Sequence, residues 1–128
     1  MQPIEFTQQM KILAMSYGKD FDSDTINVWY QYFKGVENET FKRAINKIII
    51  TNKFMPSIAE ILEFCEKEKE NIKLFVLDKM KEKGYFKTTR EYEKALDFAK
   101  KDVIPKWLLK DMQEEYKILS SKQNKQLT

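Results

Sequence analysis

Three aspartates at alternate positions, Asp20, Asp22 and Asp24, have the spacing that opens a calcium-binding loop. Such a loop needs glycine at its sixth position for a sharp turn and glutamate at its twelfth for bidentate coordination. Those positions hold Thr25 and Gln31, so the segment reads as a polar loop between helices whose aspartates cap the next helix. Glu60, Glu63 and Glu66 share a helix flank, but the chain has no histidine to complete a carboxylate-bridged metal pair. The absence of histidine also removes the commonest proton-transfer group near neutral pH, although lysines and carboxylates remain. Cys65 is the only cysteine, which rules out an intramolecular disulfide. It falls on an apolar stripe with no base nearby and reads as a buried small hydrophobe. Gly18, Gly35 and Gly84 lie too far apart to form a phosphate-cradling loop. The expectation is a binding protein, with no catalytic residue, no metal and no cofactor.

The elements that would position these residues are helical throughout. Only three glycines and three prolines (Pro3, Pro56, Pro105) interrupt 128 residues, and long periodic stretches lie between them. Phe6, Met10, Leu13 and Tyr17 share one face of a first helix that starts near Pro3 and leaves through Gly18. Asp22 or Ser23 caps a second helix, from about Asp24 to Lys34. Its stripe is Ile26, Trp29, Tyr30 and Phe33, widened by Val28 and Tyr32, and Gly35 ends it. A third helix, from about Asn38 to Asn52, buries Phe41, Ala44, Ile45, Ile48 and Ile49. Isolated helices of this length are marginal in water, so the three stripes require one another.

The segment NKFMPSIAEI comes next. Pro56 pushes Met55 toward extended geometry, and Ser57 stands three residues before Glu60, the spacing of a capping box. The helix it opens carries Ile58, Ile61, Leu62 and Cys65 on its apolar side. Glu66 to Asn71 is charged and reads as mid-helix surface or as a joint. Beyond it, Ile72, Phe75, Val76 and Met80 mark another helix, ending at Gly84. Thr88 and Glu91 form a second capping-box spacing ahead of Tyr92, Ala95, Leu96 and Ala99. Pro105 stands at the start of a last helix carrying Trp107, Leu108, Met112, Tyr116 and Leu119.

This predicts an all-α chain of seven helices: a compact N-terminal bundle of about four, then about three more, with a second small lobe as one arrangement. The corresponding boundaries are 1–70, 71–119 and a polar, flexible tail at 120–128.

The net charge of +3 is unevenly distributed. Residues 1–68 carry 8 basic and 10 acidic side chains, net −2, and residues 69–128 carry 15 and 10, net +5. Lys79, Lys81, Lys83, Lys87 and Arg90 form one candidate patch for phosphate contact, and Lys100, Lys101, Lys106 and Lys110 another. Both are interleaved with acids at helical spacing, the pattern of solvated helix faces, so any nucleic acid contact is expected to be weak or indirect. The opening MQPIEF is not a signal sequence, and no apolar run spans a membrane; a cytoplasmic protein is expected.

The order of these features resembles a known family. The helix with Val28, Trp29, Tyr30 and Phe33, then Ala44 to Ile49, then Thr51, Asn52, Lys53, Phe54, Pro56, Ser57, Ile58, Ala59, Glu60 and Ile61 is similar to bacteriophage proteins that load and inhibit a replicative helicase. The resemblance covers about residues 4–66. Within it Trp29, Phe54, Pro56, Ser57 and Glu60 form the structural signature.

The resemblance implies a replication accessory protein in a bacterial host cytoplasm, bound to a hexameric helicase and connected to an initiator protein. The family's C-terminal region is mobile, whereas residues 72–119 here carry strong stripes and caps. Phe75, Lys79, Lys83, Arg90, Trp107, Leu108, Lys110 and Met112 are the candidates for partner contact. Two other functions fit the same residues: a phage regulator binding another host protein, such as the host helicase loader, or a DNA-binding replication or transcription accessory.

Overall fold

A computed structural model describes the backbone of residues 1–126 and the side chains of residues 1–121. Six helices and no strands occur among the described residues: α1 (Pro3–Ser16), α2 (Ser23–Phe33), α3 (Asn38–Thr51), α4 (Ile58–Glu82), α5 (Thr89–Lys101) and α6 (Lys106–Gln126). The chain divides into two compact units, Met1–Lys69 and the residues from Glu70 onward, with the boundary inside α4.

The all-α expectation holds, with six helices in place of seven. The charged stretch Glu66 to Asn71 is mid-helix, because it contains no glycine or proline and consists mostly of good helix formers. Glu68 turns inward there and takes the ammonium of Lys47. The polar tail expected from residue 120 continues α6 as far as Gln126, and the rest of that expectation, residues 127–128, lies outside the described residues.

The core of the first unit is aromatic. Phe6, Phe33 and Phe41 are fully buried, with ring centroids 5.3–5.8 Å apart, and Tyr30 closes on Phe6 at 5.5 Å. Offset and tilted rings at such distances attract beyond their shared burial. Met10, Leu13, Ile45, Ile48, Ile61 and Cys65 complete the cluster. These contacts run α1 antiparallel to α2, since Phe6 near the start of α1 meets Phe33 at the end of α2. Val28 and Tyr32, expected to widen the α2 stripe, are exposed, because they fall on the flank of α2 away from Ile26 and Phe33.

The second unit packs smaller side chains: Val76, Leu77 and Met80 of α4, Ala95 and Ala99 of α5, and Leu108 and Met112 of α6. Alanines let α5 approach closely but contribute little apolar area.

Helix ends follow from local chemistry. Gly18 and Gly84 have φ +65° and +80°, the left-handed conformation that releases the chain after α1 and α4. Gly35 does not act in this way: Lys34 stays right-handed, and the turn closes through the Val36 N–H donating to the Phe33 carbonyl at 2.9 Å. After α5 the left-handed role falls to Asp102 (φ 56°), a residue type that tolerates it. No helix of the described residues is long and apolar enough to cross a membrane.

Candidate protein-binding site

The signature segment of the first unit is a joint held from several directions. Tyr17 Oη lies 2.7 Å from the Asn52 carbonyl oxygen and 3.1 Å from that of Ile48, so its proton ties the end of α1 to the end of α3. Burial pushes the Tyr17 hydroxyl above its ordinary pKa, keeping that donor protonated. Asn52 Nδ2 donates to Glu60 Oε2 at 3.4 Å. The capping box is present: the Glu60 N–H donates to Ser57 Oγ at 3.2 Å, and the Ser57 N–H donates back to Glu60 Oε1 at 3.4 Å. Pro56 is buried, and Trp29 is half-buried against Phe21 at 5.3 Å. Phe54 is the exception within the signature. It is 76% exposed, with Lys53 Nζ 5.8 Å from its ring centroid, so it is presented outward from an anchored loop.

In the second unit a groove of about 290 Å³ opens between the Gly84 turn and one face of α6. Lys83 and Tyr85 form one side, and Asp111, Glu114, Glu115 and Ile118 the other. Lys83 Nζ lies 2.7 Å from Glu115 Oε1 and donates to Oε2 at 2.9 Å. Glu115 is only 7% exposed, an acid turned inward whose charge is balanced by that ammonium. The Tyr85 hydroxyl donates to Asp111, and this bond, with burial and the carboxylate charge, pushes the phenol up to about 12. The stripes that mark the core do not point to this groove. The signal that could have found it is a second stripe on α6: Trp107, Asp111, Glu114 and Ile118 recur at steps of four, three and four.

Residues 1–62 match the N-terminal domain model of a phage protein family whose members load and inhibit a replicative helicase. The N-terminal region is that of the phage helicase loader and inhibitor family. The match spans the aromatic core of this loader-type domain and its signature joint, and it ends within the first turns of α4. No curated protein and no solved structure matches the chain. Members of this family are non-catalytic.

The groups weighed for chemistry in the loader-type domain have structural occupations. Asp22 is the N-cap of α2 and accepts from the Thr25 N–H at 2.7 Å, which holds its carboxyl below the usual range. Burial, reinforced by Glu66 and Glu68, pushes the Cys65 thiol up to about 12, far from a nucleophilic thiolate. Among the described residues no three ligating side chains come together as a metal site.

The partner-contact candidates beyond the loader-type domain divide by burial. Leu108 and Met112 belong to the core of the second unit, 0% and 5% exposed, and so they support a surface without forming it. The two residues face inward because α4 and α5 cover that side of α6, and Trp107, one position earlier, is left 63% exposed. Phe75 is 45% exposed, with Lys79 Nζ 5.4 Å from its ring centroid. Arg90 and Lys110 are exposed.

Much of the first basic patch is occupied within the unit. Lys79 pairs with Glu82 at 3.3 Å, Lys81 sits 4.5 Å from the Tyr92 ring centroid, and Lys83 is committed to Glu115. In the second patch Lys101 pairs with Asp97 at 3.0 Å. Each of these contacts reduces the charge available to phosphate.

Proposed function

We infer that the chain is a replication adaptor: it binds the hexameric replicative helicase and controls its loading and activity, with the C-terminal unit as the contact. The observation that carries this reading is the family match of residues 1–62, which joins a non-catalytic loader domain to a second, separately cored helical unit. The loader-type domain serves as scaffold, and the exposed Phe75, Trp107 and Lys110 belong to the part that remains for partner contact. An adaptor biases a helicase ring between states only through unequal affinity for them, so control of loading requires contact with a surface that changes between those states. The partial neutralisation of both lysine patches makes direct DNA binding the weaker reading. A host helicase loader in place of the helicase is the alternative partner.

Sedimentation of the purified chain with the purified host helicase hexamer tests the assignment. The full chain is expected to co-sediment. A fragment of residues 1–70, which retains the whole aromatic core, is expected to sediment alone. Equal affinity of the fragment and the full chain would overturn the role given to the second unit.

A further inference from the structure

We propose that the groove between the Gly84 turn and α6 is a receptor for one arginine side chain, presented by an amphipathic helix of a protein partner. It deepens the helicase-adaptor reading and rests on it for the partner's identity, though not for the chemistry of the groove.

The groove is acidic within a basic half of the chain. Asp111, Glu114 and Glu115 line it against a single cation, Lys83, in a sequence half of net +5. General composition would place lysines there, so the excess of carboxylates is a local feature. Lys83 does not use up the acceptor capacity, because Glu115 Oε1 is buried and accepts no hydrogen bond, although the ammonium lies near it. A buried carboxylate oxygen facing a groove without a donor favours a charged N–H partner. Phosphate is repelled by the same three acids, which turns this surface away from nucleic acid.

Size and outline narrow the occupant. About 290 Å³ holds one long side chain and is too small for a folded element. The planar guanidinium, with five donors in a fixed fork, can reach Glu114 and Glu115 together, which a lysine's point charge does less well. Along α6 the acids are bracketed by exposed apolar groups, Trp107 at 63% and Ile118 at 44%, and the Tyr85 ring is 41% exposed beside them. Trp107 and Ile118 are eleven positions apart, roughly 16 Å along a helix, or three turns. An amphipathic helix carrying arginine centrally, with apolar residues a turn or more to either side, matches that pattern.

Two measurements test this with the full chain. In the first, a synthetic amphipathic helical peptide with one central arginine flanked by leucines is titrated into isotope-labelled protein. Resonances of Trp107, Glu114 and Ile118 should shift, and the same peptide with glutamate in place of arginine should leave them unmoved. In the second, affinity for the helicase hexamer is compared among variants. Glu114→Lys and Trp107→Ala, both at exposed positions, should each weaken binding roughly tenfold or more. Glu93→Lys makes the same charge change on exposed α5 and should stay within about twofold.

Unchanged helicase affinity in Glu114→Lys, with no response to the arginine peptide, overturns the groove and leaves the adaptor reading standing. A wild-type chain that ignores helicase but binds the arginine peptide overturns the adaptor reading and keeps the groove. A dimer of the chain that Glu114→Lys dissociates would make a second copy the occupant and overturn the proposal.

Discussion

The two units bury their cores by different means. The first interlocks Phe6, Phe33 and Phe41, all fully buried, with Tyr30 and four isoleucines, and most of its polar ties are short-range caps. The second has only two fully buried large side chains, Leu77 and Leu108, and two of its seven core residues are alanines. Its helices are instead linked by long-range polar side-chain contacts: Lys73 to Asp102, Lys83 to Glu115, and Tyr85 to Asp111. Apolar packing is insensitive to salt and pH, whereas partly exposed polar links respond to both. The contrast pairs a scaffold that is stable by packing with a contact unit whose stability is open to its surroundings, as suits an element that must adjust to a partner.

Removing a ring from the aromatic cluster should have the largest effect. Phe41 touches Phe6 and Phe33 and is fully excluded from solvent. Phe41→Ala leaves a cavity between three helices and should cost about 3–5 kcal/mol in urea denaturation followed through side chains of the first unit. Methyl resonances of Leu77 in the second unit should keep their wild-type midpoint more closely than those of Ile45. A loss below about 1 kcal/mol would remove the basis for calling the first unit packing-dominated.

How much of this contrast the sequence announced depends on the kind of interaction. The stripes of the first unit were legible, because Phe6, Met10 and Leu13, or Ile45 and Ile48, are large apolar residues at a single helical period. The cap pairs Ser57 with Glu60 and Thr88 with Glu91 were legible because capping is local; the Glu91 N–H donates to Thr88 Oγ1 at 3.2 Å. Long-range polar partners were not legible. Nothing in the spacing of Tyr17 pointed to the Asn52 carbonyl, or in that of Glu115 to Lys83, 32 positions away. The α6 candidates were half resolved for a related reason. Trp107 and Leu108 are both large and apolar, and only the position of the neighbouring helices decides which one is buried. The run from Glu66 to Asn71 misled in the opposite sense, since charge density resembles a joint although helix propensity there is high.

A smaller effect, but one specific to the second unit, should come from separating the buried acid from its cation. Glu115 is nearly fully buried, while the Lys83 side chain is 47% exposed, so the two ends of the pair are unequal. Lys83→Met leaves a buried carboxylate without its counter-charge and should cost about 2 kcal/mol or more. Glu115→Gln frees an ammonium that can turn toward water, and it should cost under about 1 kcal/mol. Urea denaturation of the two variants checks the order, and equal losses would mean that the pair contributes nothing beyond side-chain packing.

The smallest effect should appear in alkali and concerns the rim of the same groove. The hydrogen bond to Asp111, burial and the nearby negative charge raise the Tyr85 phenol from 10.0 to about 12. In the unfolded chain the phenol loses its proton near the ordinary value, so between about pH 10 and 12 the folded state holds a proton that the unfolded state has released. The stabilisation from this contact is therefore complete below pH 10 and is lost as pH rises through 12. Tyr85→Phe should flatten the fall in stability across that window and remove one late-ionising phenol from an ultraviolet titration. Tyr17 and Tyr92, also raised, should continue to ionise late. If the variant retains the full wild-type slope between pH 10 and 12, the Tyr85–Asp111 link does not stabilise the second unit. The polar half of the contrast would then rest on its two lysine pairs.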